Sequence, residues 1–175
     1  MNRFQCLVVL LFILSASGCA NLSGTAFAGQ ELGAAVILSS LAGEGLGPSP
    51  GAAWIGDEKD LLLVMNKINR QRIGGSPATL PAIDYDREGV LAIWMGRRPT
   101  GGYKIELASD KVSVKDGAAI VKVRWIEPSE KAVLTQAITS PCIMIKLTRA
   151  GFNRIQAVDQ NGILRAETTL KTQKN

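Results

Sequence analysis

Short apolar segments that alternate with polar residues fill the second half of this chain and constrain its fold more than any other feature. Val121, Val123 and Trp125 alternate with Lys122 and Arg124, which is typical of a strand with one face in solvent. Strands are also predicted at residues 90–95, 103–107, 143–147, 154–158 and 163–169. The last two flank Asn161-Gly162, a hairpin signal for a type I′ turn.

One helix is predicted before these strands. Asp57 is a plausible N-cap, Leu61, Met65 and Ile68 recur at helical spacing, and Gly74-Gly75 ends the segment. One helix followed by strands predicts an α+β fold. In it, an N-terminal helix packs on a mainly antiparallel sheet of about five or six strands.

The N-terminus has the order of features found in export signals. Arg3 precedes an apolar run at residues 7–14, small residues follow at 15–18, and Cys19 comes next. Residues 16–19, Ala-Ser-Gly-Cys, resemble the lipobox of bacterial lipoproteins, which implies lipid on Cys19 and cleavage before it. The alternative is an ordinary secretory signal with an incidental cysteine. Ala20 after the cysteine favours the outer membrane in a Gram-negative cell.

Composition divides the chain into three parts. Residues 1–18 are predicted to be a lipoprotein signal peptide. Residues 19–53, rich in Gly, Ala and Pro, are predicted to be a tether, although residues 34–38 are apolar enough to dock on the domain. Residues 54–175 are predicted to form the folded domain. Cys142 is then a lone cysteine in an apolar run, which favours a core position.

Composition also excludes several function classes. The chain has no histidine, so Ser-His-Asp and Cys-His nucleophiles and histidine metal sites are excluded. The net charge of +5 is too diffuse to indicate nucleic-acid binding. We therefore expect no enzyme activity, no metal and no cofactor. Asp84 and Asp86 keep a carboxylate-dependent hydrolase as the least favoured alternative.

The segment between the predicted strands at residues 90–95 and 103–107 is the strongest candidate for recognition. Pro99 restricts φ, and Gly101 and Gly102 allow positive φ. Arg97 and Arg98 can pair with carboxylates, and the neighbouring Tyr103 offers amphipathic contact area. A plain hairpin connection is the alternative.

This segment resembles the PrcB-type C-terminal domain family, whose namesake belongs to a protease complex. The resemblance lies in residues 80–86, 90–96 and 98–105, and in the later blocks 127–128 and 139–146, within roughly Asp57 to Thr148. Cys142 stands where an aromatic residue is more common. The namesake is a lipoprotein partner of a cell-surface protease, so the resemblance implies an accessory role rather than catalysis.

Together these features predict a lipid-anchored module of the bacterial cell envelope. Its expected partners are the membrane, through Cys19, and an envelope protein that it stabilises or docks. The alternative is a protease inhibitor that acts through the same turn, by analogy with a loop of chagasin-type inhibitors. The residues predicted to contact a partner are Arg97, Arg98, Pro99, Thr100, Gly101, Gly102, Tyr103, Thr139 and Pro141.

Overall fold

The structure is a computed structural model and describes residues 31–70 and 80–170. Within these ranges the chain forms nine β-strands, one α-helix and a short 3₁₀ turn at Glu44–Leu46. The elements are β1 (Glu31–Ser40), β2 (Gly51–Ile55), α1 (Glu58–Asn69), β3 (Glu88–Trp94), β4 (Lys104–Leu107), β5 (Lys111–Lys115), β6 (Ala118–Ile126), β7 (Cys142–Thr148), β8 (Arg154–Val158) and β9 (Leu164–Thr169).

The strands form a single curved sheet in the order β2-β3-β7-β1-β5-β6-β8-β9, with β4 paired to β6 beside β5. The two ends of this order, β2 and β9, contact each other, so the sheet nearly closes on itself. All pairs are antiparallel except β6 with β8. The predicted α+β fold with five or six strands is therefore wrong: the described chain is mostly β, with one helix outside the sheet.

β1 lies wholly in the segment assigned to a tether, and β2 begins in it and extends two residues past its predicted end. β1 occupies Glu31–Ser40, between β5 and β7, and β2 occupies Gly51–Ile55 beside β3. The tether prediction is therefore wrong for these residues, and the folded part includes Glu31. The apolar stretch at 34–38 belongs to β1. Residues 1–30, which hold the predicted signal and Cys19, lie outside the described residues.

The core has two parts that share the β3–β7 ribbon. One cluster is enclosed by the sheet and includes Leu91, Ile93 and Ile145, which are fully or almost fully buried. The second lies between the outer face of the ribbon and α1, where Met65 and Ile68 pack near Met144. Because both faces of β3 and β7 are covered, apolar residues follow one another without a break at residues 90–95, as predicted, and at residues 142–145 of β7.

The helix begins at the predicted N-cap, and the residues that it buries are those that its sequence pattern predicts. The Asp57 carboxylate accepts a hydrogen bond from the backbone N–H of Asp60 at 2.7 Å, which caps the first turn. The buried residues of α1 are Leu61, Met65 and Ile68. No helix in the described part of the chain is long and apolar enough to cross a membrane.

The β8–β9 hairpin is present, but its turn is built around a buried carboxylate. Asp159 accepts hydrogen bonds from the backbone N–H groups of Asn161 and Ile163, at 2.8 and 2.9 Å. Its other oxygen pairs with Arg165 at 2.7 Å, and its side chain is fully buried. Only Gly162 of the predicted Asn161-Gly162 pair has positive φ, so the turn is not type I′.

The Asp159 carboxylate makes the free energy of unfolding of the domain depend on pH in the acid range. Burial alone raises the pKa of Asp159, but the hydrogen bonds from Ile163, Arg165 and Asn161 outweigh it and hold the pKa below its ordinary value. The stabilisation is therefore present above the pKa of the unfolded chain and is lost as pH falls through the lower pKa of the folded one. We expect urea midpoints to fall as pH drops from about 5 towards 3.

Replacement of the carboxylate separates this effect from general acid denaturation. We expect Asp159→Asn to lower the urea midpoint at pH 7 and to reduce the further fall of that midpoint at acid pH. Some dependence remains, because the pKa values of Glu88 and Glu106 are also lowered, chiefly by hydrogen bonds from Lys146 and Lys104 respectively. Equal pH profiles for the wild type and Asp159→Asn would contradict this account.

Candidate functional site

The segment between β3 and β4 is held to the domain through its backbone. Gly96 has a φ of 75°, and a Cβ there would collide with the carbonyl oxygen of Pro48. The N–H of Arg97 donates to that same oxygen at 3.0 Å. Arg98 then exchanges two backbone hydrogen bonds with Thr139, at 2.7 and 3.0 Å. The turn is thereby fixed between the β1–β2 connection and the segment before β7.

The second half of the turn is anchored on the long connection between β6 and β7. The N–H of Gly101 donates to the carbonyl of Thr135 at 2.9 Å. The Thr139 hydroxyl donates to the carbonyl of Thr100 at 2.8 Å. Gly102 has a φ of 87° and packs beside Leu134. These contacts explain why Thr139 belongs with the turn although it is distant in sequence.

The two arginines have different surroundings. The Arg98 guanidinium carbon lies 5.3 Å from the centre of the Tyr103 ring, a cation–π distance. Among the described residues its Nε is buried without a hydrogen-bond partner. Arg97 is more exposed and reaches Glu44 at 3.6 Å. Arg98 and Tyr103 therefore brace each other, whereas Arg97 extends into solvent.

Pro141 does not lie on this surface. It is buried, and its carbonyl accepts the N–H of Met95 at 2.9 Å. The neighbouring Ser140 is 1% exposed. Pro141 therefore positions the start of β7 beside β3 and cannot contact a partner directly, which corrects the prediction for this residue.

Exposed apolar side chains surround the turn, and sequence reasoning missed them. Leu41 is 56% exposed and Ile138 is 55% exposed. Leu41 and Tyr103 line one cleft of about 350 Å³. Ile138 precedes Thr139, which pairs with Arg98. We call this surface the turn face, and its members are Leu41, Arg97, Arg98, Pro99, Tyr103 and Ile138.

The paired carboxylates before β3 have a local structural role. The Asp84 side chain accepts the N–H of Asp86 at 3.2 Å, and its carbonyl accepts the N–H groups of Arg87 and Glu88. Asp84 also lies 3.8 Å from the Arg87 guanidinium. In residues 31–70 and 80–170, no group of three or more acidic, cysteine or histidine side chains is placed to hold a metal ion. Asp84 therefore stabilises the turn that leads into β3.

Cys142 is a core residue, as its sequence context predicted. It is 1% exposed, and burial raises the pKa of its thiol to about 12. Its sulfur lies beneath Gly43, where a Cβ would approach it to 3.0 Å. A thiol that stays protonated at neutral pH is a poor nucleophile.

A larger cavity of about 630 Å³ lies between α1 and residues 80–85. Its lining is mainly apolar and includes Leu61, Met65, Ile83 and Tyr85. Burial raises the pKa of Tyr85, with Glu58 and Asp57 adding to the effect. Residues 71–79, which connect the two walls, lie outside the described ranges.

Comparison with protein-family models matches residues 90–148 to the family described as PrcB C-terminal. The match confirms the resemblance over this stretch, which is less than half of the chain and shorter than the Asp57-to-Thr148 extent predicted. It runs from β3 to the end of β7 and includes the whole turn with Thr139. Comparison with curated proteins and with solved structures finds no match.

Proposed function

We propose, from the match of residues 90–148 to the PrcB C-terminal family, that this chain is an accessory binding module of the bacterial envelope. Its partner is an envelope protein, with a protease as the leading candidate. Lipid on Cys19 holds the module at a membrane, and the turn face makes the contact. We propose binding and not catalysis as its role.

The observation that carries this proposal is the contrast between backbone and side chains at the turn. Residues 97, 98 and 101 all donate backbone hydrogen bonds to segments outside the turn. Leu41, Ile138 and Arg97 nevertheless leave about half of their side chains in solvent. A rigid backbone that presents Arg, Tyr and aliphatic side chains loses little entropy on binding, and Arg and Tyr recur among binding hot spots.

Two exposed leucine and isoleucine positions allow a direct test with a matched control. Leu41→Asp with Ile138→Asp places charge on the turn face, and Ile163→Asp places it on the β8–β9 hairpin at a site that is 50% exposed. We expect the double variant to lower recovery of the cross-linked partner at least about tenfold, since a loss of about 1.4 kcal/mol in binding corresponds to that factor. The control should retain wild-type recovery.

The measurement is cross-linking of the full chain in intact cells, with thermal melts of each purified variant. The melting curves of the wild type, the double variant and Ile163→Asp should agree, because exposed substitutions usually change stability by about 0.5 kcal/mol or less. A set of cross-linked proteins that the double variant leaves unchanged would remove the turn face as the binding surface. If the captured partner is a protease whose cleavage of a peptide substrate is blocked, the module is an inhibitor.

The membrane anchor has a separate test. Cys19→Ser removes the sulfur that the lipobox resemblance implies is acylated, so palmitate labelling of the chain should disappear. The domain should then leave the membrane fraction or accumulate as a longer precursor. Cys142→Ser is the control, and it should label normally because Cys142 is buried in the core. Persistent labelling of Cys19→Ser would refute lipidation at this residue.

A further inference from the structure

The sheet contains a seam where two neighbouring strands are not hydrogen-bonded. β1 pairs with β5 only at Glu31, Leu32 and Gly33, and the N–H of Ala34 extends this pairing to Asp110 at 2.8 Å. Residues 35–40 pair with β7 on one side, and no described strand pairs with them on the other. Among the described strands β4 is hydrogen-bonded to β6 alone, although it also lies close to β7. We call the gap between residues 35–40 and β4 the seam.

The seam opens where both strands are irregular. β1 shifts register between Val36 and Leu38 where it pairs with β7. On the other side, β4 and β5 run along the same edge of β6 but are separated at residues 108–110. There the Ser109 hydroxyl accepts the N–H of Lys111 at 3.1 Å. Such irregularities bend a strand and end its pairing, so β1 and β4 diverge from this point.

The exposure of β1 shows that the interior of the sheet opens at the seam. Ala34 points into the enclosed core, and Val36 lies two residues further along the same face. Val36 stands opposite Ile145, which is 0% exposed, yet Val36 itself is 46% exposed. Ser39 is exposed in the same way opposite the buried Ile143. This face is therefore covered on the β7 side and uncovered on the β4 side.

The far end of the seam meets the turn face. The cleft of about 350 Å³ is lined there by Ser39, Ser40 and Leu41 on one wall and by Gly102, Tyr103 and Lys104 on the other. A ligand that follows the free edge of β1 would thus arrive at Tyr103. The seam and the turn face are continuous.

We infer that the seam accepts an extended segment of the partner protein as an added strand. This inference rests on the proposed function, because it says how the partner of the turn face is held. Two edges without partner strands present backbone N–H and C=O groups, which an extended polypeptide satisfies and an acyl chain does not. Val36 and Leu41 leave apolar surface uncovered, so the segment carries an apolar residue at every second position.

The geometry constrains how the segment lies. β1 and β4 run in opposite directions, since β4 follows the direction of β5 and β5 is antiparallel to β1. A strand between them is antiparallel to one and parallel to the other. Its inward side chains cover Val36, and its outward side chains lie near the ion-paired Lys104, Glu106 and Arg124.

Hydrogen–deuterium exchange on the full chain in detergent tests the free edge. Amides of residues 35–40 that do not bond to β7 should exchange quickly, whereas those of residues 143–147 should be protected. Uniform protection of residues 35–40 in the free protein would mean that the edge is already paired, within the chain or with a second copy. That result would overturn the inference.

Short random peptides displayed on phage and selected on the full chain provide the probe for occupancy. We expect selected peptides to alternate apolar and polar residues and to protect residues 35–40 from exchange. Val36→Asp should weaken their binding at least about tenfold, and Leu164→Asp, at a 50% exposed site on β9, should not. Selected peptides that leave residues 35–40 unprotected, or that ignore Val36→Asp, would overturn the inference.

The two proposals fail separately. If Leu41→Asp with Ile138→Asp abolishes partner capture while Val36→Asp leaves both capture and peptide binding unchanged, the turn face stands and the seam does not. If peptides bind along β1 and the turn-face variants capture their partner normally, strand addition stands and the turn face is not the binding surface.

Discussion

A chain truncated to begin at Gly51 is expected to lose cooperative unfolding. The truncation removes β1, whose Leu32, Ala34 and Leu38 are buried and whose backbone pairs with β7 over most of its length. Burial of a large aliphatic side chain contributes about 1.5–3 kcal/mol, and the edges of β5 and β7 would also lose their partner. A loss of this size approaches the whole stability of a small domain, about 5–15 kcal/mol.

The matched control is a chain that begins at Glu31 and keeps β1. It should show a single urea transition, whereas the shorter chain should show a shallow or absent one by circular dichroism and fluorescence. A sharp transition of the Gly51 chain with an unchanged slope would mean that β1 is dispensable. In that case residues 31–50 would be the tether that their composition indicates.

Alanine substitutions at Gly96, Gly101 and Gly102 are expected to differ widely in how much they lower the free energy of unfolding. Gly96→Ala should cost about 2 kcal/mol or more, because Gly96 combines positive φ with a backbone oxygen where the new Cβ would lie. Gly102→Ala should cost about 1–2 kcal/mol, since it also has positive φ but meets the movable side chain of Leu134 first. Gly101→Ala should change stability by about 0.5 kcal/mol or less.

Gly101 is the internal control for this series. Its φ is not positive, and its nearest neighbour would be the Thr135 side chain at 3.5 Å, an ordinary contact distance. The sequence pattern allowed positive φ at both glycines of the pair, and the structure places it at Gly102 alone. Urea denaturation of the three single variants measures the order of their losses in the free energy of unfolding. Equal losses at Gly96 and Gly101 would contradict the backbone geometry.

Most elements with a clear period and a local signal were predicted from sequence. Asp57 caps α1, and Leu61, Met65 and Ile68 are its buried residues, as their spacing indicated. β8 was predicted with its observed bounds, and β9 within one residue. β5 was missed although Val112 and Val114 alternate with polar residues and Asp116-Gly117 both have positive φ, as a type I′ turn requires.

β1 and β2 were missed for different physical reasons. β1 is ordered by its pairing with β7 and with the start of β5, which are distant in sequence. At β2, glycine that resembled part of a flexible linker is needed where an indole ring covers the sheet. A Cβ at Gly51 would come within 2.5 Å of the Trp94 ring, and one at Gly89 would collide with the Trp54 ring. Small residues here accommodate large neighbours from distant parts of the chain, and composition within one segment cannot reveal such contacts.

The candidate site was predictable as a turn but not as a surface. Residues 97–103 and Thr139 come together through the Arg98–Thr139 pairing. Leu41 was missed because its segment had no recognised strand, and Ile138 because it lies in a long connection without periodicity. Pro141 was included from its motif, but its burial beside Met95 depends on the pairing of β3 with β7.

The central position of β1 also bears on how fast the domain folds. Ala34 pairs with Leu147 and Ser40 with Cys142. β1 therefore cannot form its longest strand pairing until β7 has been synthesised. Closing so long a loop carries an entropic cost before any contact offsets it, and domains dominated by such distant pairings fold in milliseconds to seconds. The sheet therefore cannot be completed during synthesis until residue 148 is available, because β1 has only its short pairing with β5 before then.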